Sequence, residues 1–377
     1  MSGLNAQSGV RKRSGNFQVR WRTARGVERS ATFPTSVEAA AFKAKVERDK
    51  RRGIDQDPSR GRITIGEWAE QRMPHLIARP STLARERSIL RTHVVPDLGK
   101  MELVRVTRFG VQQWVTELGR RDLSPASIRR IHQVLSRLLA DAVADERIPE
   151  NPCQGVKLPS VPVTEARFLT PDEVVALEAA MAVVAPHWAE LVPFLADTAL
   201  RIGELAGLQV RDIDTDAGTV LVRRNVVEVG GHLVVGEPKT LAGRRIVPTL
   251  TDDVAGLVAT RIRRLGLTAE DALFGLPNGG WLRTPVFRRR VWLPSVMRSG
   301  LDPPRPTPHS LRHSAVSAWI AAGATNPYHL ARWAGHRDIS TIFRLYGHLL
   351  PIDATREREA LSAFRRDALA RRTPQDR

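Results

Sequence analysis

Residues 309–346 read HSLRHSAVSAWIAAGATNPYHLARWAGHRDISTIFRLY, and the polar positions of this stretch decide how the C-terminal half of the chain is interpreted. His309 and Arg312 stand three residues apart at the predicted start of a helix, so both side chains lie on one face. Such a pair suits a phosphate, because arginine offers a two-pronged fork and histidine a single donor. The next residue, His313, is expected to point elsewhere, as a packed or surface histidine.

Farther along the same stretch, a histidine and a tyrosine extend the candidate site. His336 is predicted to lie in a turn between two helices, and Tyr346 follows ten residues later. Of the two tyrosines in the chain, Tyr328 stands beside Pro327 at a helix start and is interpreted as a packing residue. Tyr346 could be a core aromatic residue, since a phenylalanine precedes it on a partly apolar face, or it could be a nucleophile.

Upstream, an arginine and a lysine stand in contexts that fit the same chemistry. Arg201, in TALRIGELAGL, is predicted to share a helix face with Glu204, which taken alone could be a surface ion pair. Lys239 is the only lysine in residues 158–377, which contain 27 arginines. A lysine can release its proton when it is buried or crowded by cations, whereas arginine stays protonated, so Lys239 could be a general acid. A surface lysine without a role is the alternative.

Together these residues supply what metal-free cleavage of a phosphodiester requires. Tyr346 would be the nucleophile, Lys239 the acid for the leaving oxygen, and the arginines and histidines the donors that stabilise the developing charge. The sequence has no carboxylate cluster typical of magnesium sites and no P-loop, so we expect no metal, no other cofactor and no ATP. A covalent tyrosyl phosphate would retain the bond energy for rejoining.

The order Arg, Lys, His-x-x-Arg, His, Tyr resembles the active site of the tyrosine recombinases, the family of the phage integrases. TALRIGELAGL resembles the first arginine box of that family, EPKTLAGRRIVP its lysine hairpin, and HSLRHSAVSAWIAAG with ARWAGHRDISTIFRLYGHLLP its second box. Ser310 and Ala334 depart from the Asp and Leu that the family often has, at positions that we expect not to touch the chemistry. The resemblance implies a supporting role for Glu204 and catalytic roles for Arg201, Lys239, His309, Arg312, His336 and Tyr346.

The charge balance indicates a polyanionic partner. The 377 residues include 58 Lys and Arg against 40 Asp and Glu, a net charge of +18, and the excess is densest in residues 1–60. Nucleic acid is therefore the expected partner, ahead of an anionic membrane surface, for which only a short C-terminal segment would qualify. Neither a membrane span nor a signal peptide is recognisable, and the single cysteine, Cys153, excludes an internal disulfide framework, so we expect a bacterial cytoplasm.

The hydrophobic pattern predicts three domains in a multidomain, mainly α fold with small β elements. Residues 1–60 are expected to form a three-stranded sheet plus a helix. GNFQVRWRTARGVERSATF alternates like strands with a turn at Ala24–Gly26, and Thr35 or Ser36 then caps the helix. Residues 61–160 are expected to form four helices, with N-caps at Ser81, Thr107 and Ser124, followed by a proline-rich linker.

Residues 161–377 are predicted to form a mixed α+β domain. TPDEVVALEAAM has the pattern of a capped helix, and a second helix is expected over about residues 187–198. GTVLVRRNVVEV and RRIVPTL are expected to form a strand pair, with PKTLAG as the turn before the second strand. Helices are expected to dominate the remainder.

The resemblance extends to the other domains and implies their partners. Residues 61–160 resemble the SAM-like, helical core-binding domain, which with the catalytic domain clamps double-stranded DNA. Residues 1–60 resemble the arm-type DNA-binding domain of larger phage integrases, although a basic, solubilising sheet is the plainer alternative. In the arm-type domain, strand residues would read DNA and the preceding basic residues would lie on phosphates or in the minor groove. These residues are Gln18, Arg20 and Arg22 in the first group and Arg11, Lys12 and Arg13 in the second.

The resemblance also implies a reaction course. Tyr346 would form a 3′-phosphotyrosine, the freed 5′ hydroxyl of a partner duplex would attack it, and two such exchanges would pass through a Holliday junction. Two protomers would hold a core site and a homotetramer the synapse, with a host DNA-bending protein and an excision factor as possible accessories. The stripe of Ala360, Leu361, Phe364 and Ala368 is expected to dock on a neighbouring protomer; packing on its own domain is the alternative.

Three other functions fit part of the pattern. A chromosome-dimer or transposon recombinase would share the chemistry, but the extra N-terminal module favours an integrase with arm sites. A type IB topoisomerase shares the active site and needs no partner duplex. A DNA-binding regulator without cleavage is disfavoured because all six catalytic positions are filled.

Overall fold

The computed structural model describes residues 10–13, 15–22, 28–51, 60–162, 167–238, 243–350 and 354–370. They belong to two compact units, Met1–Val163 and Thr164–Arg377. Helices dominate both units, and in the described ranges no helix is long and apolar enough to cross a membrane.

The N-terminal module is a three-stranded antiparallel sheet followed by a helix, as the alternation predicted. The strands β1 (Val10–Arg13), β2 (Asn16–Arg22) and β3 (Glu28–Phe33) lie in that order, and α1 spans Ser36–Arg51. Thr35 is the cap, because its Oγ1 accepts a hydrogen bond from the Glu38 amide at 3.3 Å. The predicted turn at Ala24–Gly26 lies outside the described residues.

The helical region that follows has its own core. Its helices are α2 (Ile65–Arg72), α3 (Pro80–Ile89), α4 (Val95–Leu98), α5 (Arg108–Gly119) and α6 (Pro125–Ala144). Thr107 and Ser124 cap α5 and α6 through their side chains, as expected. The cap at Ser81 was wrong, since Pro80 already begins α3 with its fixed φ angle and Ser81 lies inside the first turn. A π-helical turn at Leu90–Val94 joins α3 to the short α4.

The second unit is a mixed α+β domain. Its helices are α7 (Pro171–Val184), α8 (Leu191–Thr198), α9 (Ile202–Ala206), α10 (Asp252–Leu265), α11 (Thr284–Phe287), α12 (Leu293–Arg298), α13 (Pro308–Ala321), α14 (Pro327–Ala334), α15 (Ser340–Tyr346) and α16 (Ala354–Ala370). Its strands are β4 (Ile213–Asp214), β5 (Thr219–Val222), β6 (Asn225–Val229), β7 (His232–Gly236) and β8 (Arg245–Val247). A capping box of Thr170 and Glu173 begins α7, as predicted.

One strand prediction in this unit needs correction. GTVLVRRNVVEV was expected to be a single strand, but it divides into β5, which pairs with β8, and β6, which forms a hairpin with β7. The break lies at Arg223 and Arg224, whose guanidinium groups both donate to the buried carboxylate of Asp212. Neighbouring side chains of an extended strand point to opposite faces, so a shared partner ends the strand here.

Candidate active site

Four segments that are distant in sequence bring the candidate residues together. Arg201 lies between α8 and α9, and Arg312 is the fifth residue of α13. His336 follows the left-handed Gly335 that ends α14, and Tyr346 is the last residue of α15. The single hydrophobic core under these segments fixes their backbones relative to one another.

The carboxylate of Glu204 connects two arginines below the site. Its Oε1 accepts a hydrogen bond from Arg201 Nη1 at 2.7 Å and its Oε2 one from Arg245 Nη2 at 3.0 Å. Burial acts to raise the pKa of Glu204, but the charges of Arg245 and Arg201 prevail and lower it. The carboxylate therefore stays ionised, and in the pair that the spacing predicted Glu204 is buried at 3% exposure while the Arg201 side chain is 39% exposed.

Arg245 is a site residue that the sequence reasoning missed. Its guanidinium donates to the carbonyl oxygens of Trp333 at 2.6 Å and Gly243 at 3.1 Å, besides Glu204. It holds the backbone before His336 and shields the charge of the carboxylate. The alternation of β8 contained the signal, because Arg245 and Val247 occupy the inward positions around an exposed Ile246.

Two buried nitrogen atoms in this site have no hydrogen-bond partner within the described residues: Arg312 Nη2, which is a donor, and His336 Nδ1, which is a donor in the tautomer that is protonated there. The other terminal nitrogen of Arg312 donates to the Ala199 carbonyl at 2.6 Å. Burial, together with the charge of Arg201, lowers the pKa of Arg312 to about 9. Burial and the charge of Arg312 lower the pKa of His336 to about 3. Buried polar atoms without hydrogen-bond partners are rare in folded proteins. Beside the buried guanidinium of Arg312, they indicate a binding site for an anion.

Tyr346 is buried and forms a hydrogen bond with His313, a histidine that was expected to lie away from the site. Its hydroxyl lies 2.6 Å from His313 Nδ1, and the tyrosine is 2% exposed. The expectation that His313 points elsewhere was wrong, because the fold brings the Tyr346 hydroxyl of α15 to the Nδ1 atom of His313 on α13. Burial raises the pKa of Tyr346 to about 12, although Arg312 acts in the opposite direction.

The remaining two catalytic candidates are placed differently. The ring of His309 is accessible and stands 4.8 Å, centroid to centroid, from that of His313. Partial desolvation, the neighbouring His313 and the charge of Arg312 lower the pKa of His309 to about 4. Lys239 lies outside the described residues, in the segment between β7 and β8.

The N-terminal candidates divide between the two faces of their sheet. Antiparallel pairing sets Arg11 opposite Gln18, so these two share a face with the exposed Arg20 and Arg22. Lys12 is opposite Phe17 on the other face, where its ammonium lies 5.9 Å from the ring centroid. Lys12 was expected to act with Arg11 and Arg13, but the alternation of β1 places it on the face opposite to that of Arg11. Arg13 is the last residue of β1, and its side chain is not among the described parts of the structure.

The sequence is similar to known protein families and to individual proteins. The sequence profile of the phage integrase family matches residues 167–351, and that of the phage integrase N-terminal SAM-like domain matches residues 66–119. The integrase of Mycobacterium phage D29 is 32% identical over 298 residues, which cover 78% of this chain and 71% of that protein. The integrase of Mycobacterium phage L5 is 30% identical over 250 residues, which cover 64% of each chain.

The fold also matches solved structures. A lambda integrase dimer bound to a COC′ core site superposes with a TM-score of 0.60 at 16% identity, covering 92% of this chain and 96% of that one. A lambda integrase tetramer bound to a Holliday junction gives a TM-score of 0.57 at 17% identity, covering 88% and 96%. The profiles and the relatives together show that the chain belongs to the phage integrase family of tyrosine recombinases.

Proposed function

We propose that this chain is a site-specific integrase that cuts and rejoins double-stranded DNA through a covalent bond to Tyr346. The observation that carries the proposal is the pairing of a buried tyrosine with two donor atoms, Arg312 Nη2 and His336 Nδ1, that have no partner among the described residues. A phosphate entering beside Tyr346 would satisfy both donors. The transition state, which carries more charge on its oxygens than the substrate, would be bound more tightly still.

Each catalytic candidate has a role in this proposal. Arg201, Arg312 and His336 stabilise the transition state, and Glu204 holds Arg201 in place. Lys239 protonates the departing 5′ oxygen, and His309 assists with the phosphate or with proton transfer. The product of the first step is a 3′-phosphotyrosine, and the 5′ hydroxyl of a partner duplex resolves it through a Holliday junction.

The DNA partner is supported by charge near the site as well as by the relatives. An open cavity of about 1010 Å³ borders His336 and is lined by Arg244, Arg332 and Arg337, together with Asp338. Such a cavity suits the phosphates that flank the scissile one. Residues 61–160 would serve as the core-binding domain and residues 1–60 as the arm-binding domain, with Arg11, Gln18, Arg20 and Arg22 on one DNA-facing side.

The assembly in this proposal is a tetramer on DNA, as in the lambda integrase complex with a Holliday junction. In α16, Leu361 and Phe364 are 51% and 69% exposed, which supports docking of this helix on a neighbouring protomer. Removal of residues 354–377 should then leave cleavage of a single core site intact and abolish synapsis. A host DNA-bending protein and an excision factor would set direction, and the reaction would take place in the bacterial cytoplasm.

A nicked suicide duplex containing a core site tests the proposal. Wild type should form a covalent protein–DNA adduct on a denaturing gel in the presence of EDTA, and Tyr346→Phe should form none, because it lacks the nucleophilic oxygen. Tyr328→Phe is the matched control, since Tyr328 is 63% exposed at the start of α14. An adduct that persists in Tyr346→Phe and disappears in Tyr328→Phe would reject Tyr346 as the nucleophile.

A further inference from the structure

The hydrogen bond between His313 and Tyr346 has no role in the proposed function above. It joins α13 to α15 across 33 positions, with Nδ1 and the hydroxyl oxygen 2.6 Å apart and the ring centroids 5.8 Å apart. Among the described residues, the contact of His309 is different, because its ring faces His313 at 4.8 Å, edge to face. His313 is therefore the histidine placed to exchange a proton with the tyrosine.

The protonation states follow from the surroundings of this pair. Burial and the charge of Arg312 lower the pKa of His313, so the imidazole is neutral near pH 7 and keeps a free lone pair. Besides burial, the charges of Arg312 and Arg201 also lower the pKa of the nearby His309 and His336, so these surroundings disfavour a further cation. Since the pKa of Tyr346 is raised to about 12, the phenol holds its proton, and it donates this proton to Nδ1 in the tautomer of His313 that is protonated on Nε2.

We propose that His313 is the general base of DNA cleavage in this protein, an inference that depends on the integrase function proposed above. As the Tyr346 oxygen bonds to phosphorus, its proton passes to His313 Nδ1. The bond from phosphorus to the 5′ oxygen breaks, and that oxygen takes a proton from the general acid assigned to Lys239. On rejoining, the incoming 5′ hydroxyl returns its proton to the acid, the phosphotyrosine bond breaks, and His313 gives its proton back to Tyr346.

His313→Asn separates proton transfer from positioning. The amide oxygen of asparagine can accept the tyrosine hydrogen bond near the place of Nδ1, but it cannot hold the proton. Single-turnover adduct formation on the suicide duplex, measured from pH 6 to pH 10, should fall by about 10²–10⁴-fold at pH 7, the range typical of a lost general base. The rate should then rise about tenfold for each pH unit, because hydroxide has to remove the proton instead.

His187→Asn is the matched control. His187 is a partly buried histidine of the same unit, with its ring nitrogen 3.0 Å from the Gly275 carbonyl and its pKa also lowered by burial. This variant should retain the wild-type rate and pH profile. DNA binding and thermal unfolding of both variants, measured in parallel, distinguish a chemical defect from misfolding.

His313→Ala provides a second route if the asparagine variant proves unstable. It removes the ring, and added imidazole should restore adduct formation in a saturable manner, with no effect on Tyr346→Phe. The proposal is overturned if His313→Asn reacts at the wild-type rate, or if its loss is the same at every pH and imidazole does not rescue His313→Ala. If wild type forms no adduct at its identified core site, the integrase function fails instead, and the His313 variants are not the cause.

Discussion

At the scale of single residues, the buried carboxylate of Glu204 holds Arg201 and Arg245 in place. Glu204→Gln removes one unit of buried negative charge and leaves Arg201 and Arg245 facing each other with one weaker acceptor. We expect a loss of unfolding free energy on the order of 3 kcal/mol, as for other broken buried ion pairs, and slower cleavage with DNA binding retained. Denaturant titration and the suicide-duplex assay measure both effects.

The pH dependence of that loss has a defined sign. Because the pKa of Glu204 is lowered in the folded protein, its stabilisation is complete above the unfolded value of about 4.3 and is lost as the pH falls through the folded value. The stability difference between wild type and Glu204→Gln should be constant from pH 6 to pH 8 and shrink below about pH 4. Glu228→Gln, at a more exposed pair with Arg283, should cost less than about 1 kcal/mol. Equal losses in the two variants would contradict the role of Glu204.

The sequence revealed the residue types of this site better than their contacts. The spacing of Arg201 with Glu204 was sufficient, because residues three apart at a helix start can face each other regardless of the rest of the fold. His313 was misjudged because its partner, Tyr346, is brought near it only by the packing of α15 against α13. Arg245 was overlooked for the same reason, since an inward arginine has meaning only when its acceptor on α9 is known.

At the scale of elements, the turn between α14 and α15 requires a glycine for two reasons. Gly335 has a φ of +68°, and a Cβ atom there would lie 2.8 Å from the Arg245 guanidinium. That guanidinium is fixed by its hydrogen bonds to Trp333 and Glu204, so it cannot move away without cost. Gly335→Ala should therefore lower unfolding free energy by at least about 2 kcal/mol and slow cleavage more than tenfold, as denaturation and adduct formation will measure.

Gly266→Ala separates backbone strain from the clash. Gly266 ends α10 with nearly the same φ, +60°, but nothing lies within 4 Å of the position of its Cβ atom. It should cost about 1 kcal/mol through strain alone and leave cleavage unchanged. If the two alanine variants were equally stable and equally active, the close approach of Gly335 to Arg245 would not matter for stability or cleavage.

Elements with strong end signals were predictable, and those defined by distant partners were not. Thr107, Ser124 and Thr170 each cap a helix through their own amide neighbours, so the local sequence contains the whole cause. The division of β5 from β6 depends on Asp212, whose carboxylate accepts hydrogen bonds from both Arg223 and Arg224. The alternation of apolar residues continued across this break and concealed it.

At the scale of the whole molecule, the basic N-terminal sheet should bind DNA mainly through phosphates. Arg20→Gln with Arg22→Gln removes two exposed charges from one face of β2, and should weaken binding to arm-site DNA. The slope of log K against log salt should become shallower by up to about 2. A duplex with only a core site is the control, and its affinity and adduct yield should not change. A solubilising sheet without a binding role would leave both duplexes unaffected.

The contacts of the active site join parts of the chain that a ribosome produces at very different times. Arg312 donates to the carbonyl of Ala199, 113 positions earlier, and Arg201 donates to that of Gly335, 134 positions later. Since domains generally fold in order as they emerge, the two N-terminal regions would be complete while the candidate active site still lacked Tyr346. An unfinished chain could therefore hold DNA before it could break it. If the proposed DNA contacts of the N-terminal regions hold, translation stopped before α15 would leave a fragment that binds the same DNA as the intact protein and competes with it.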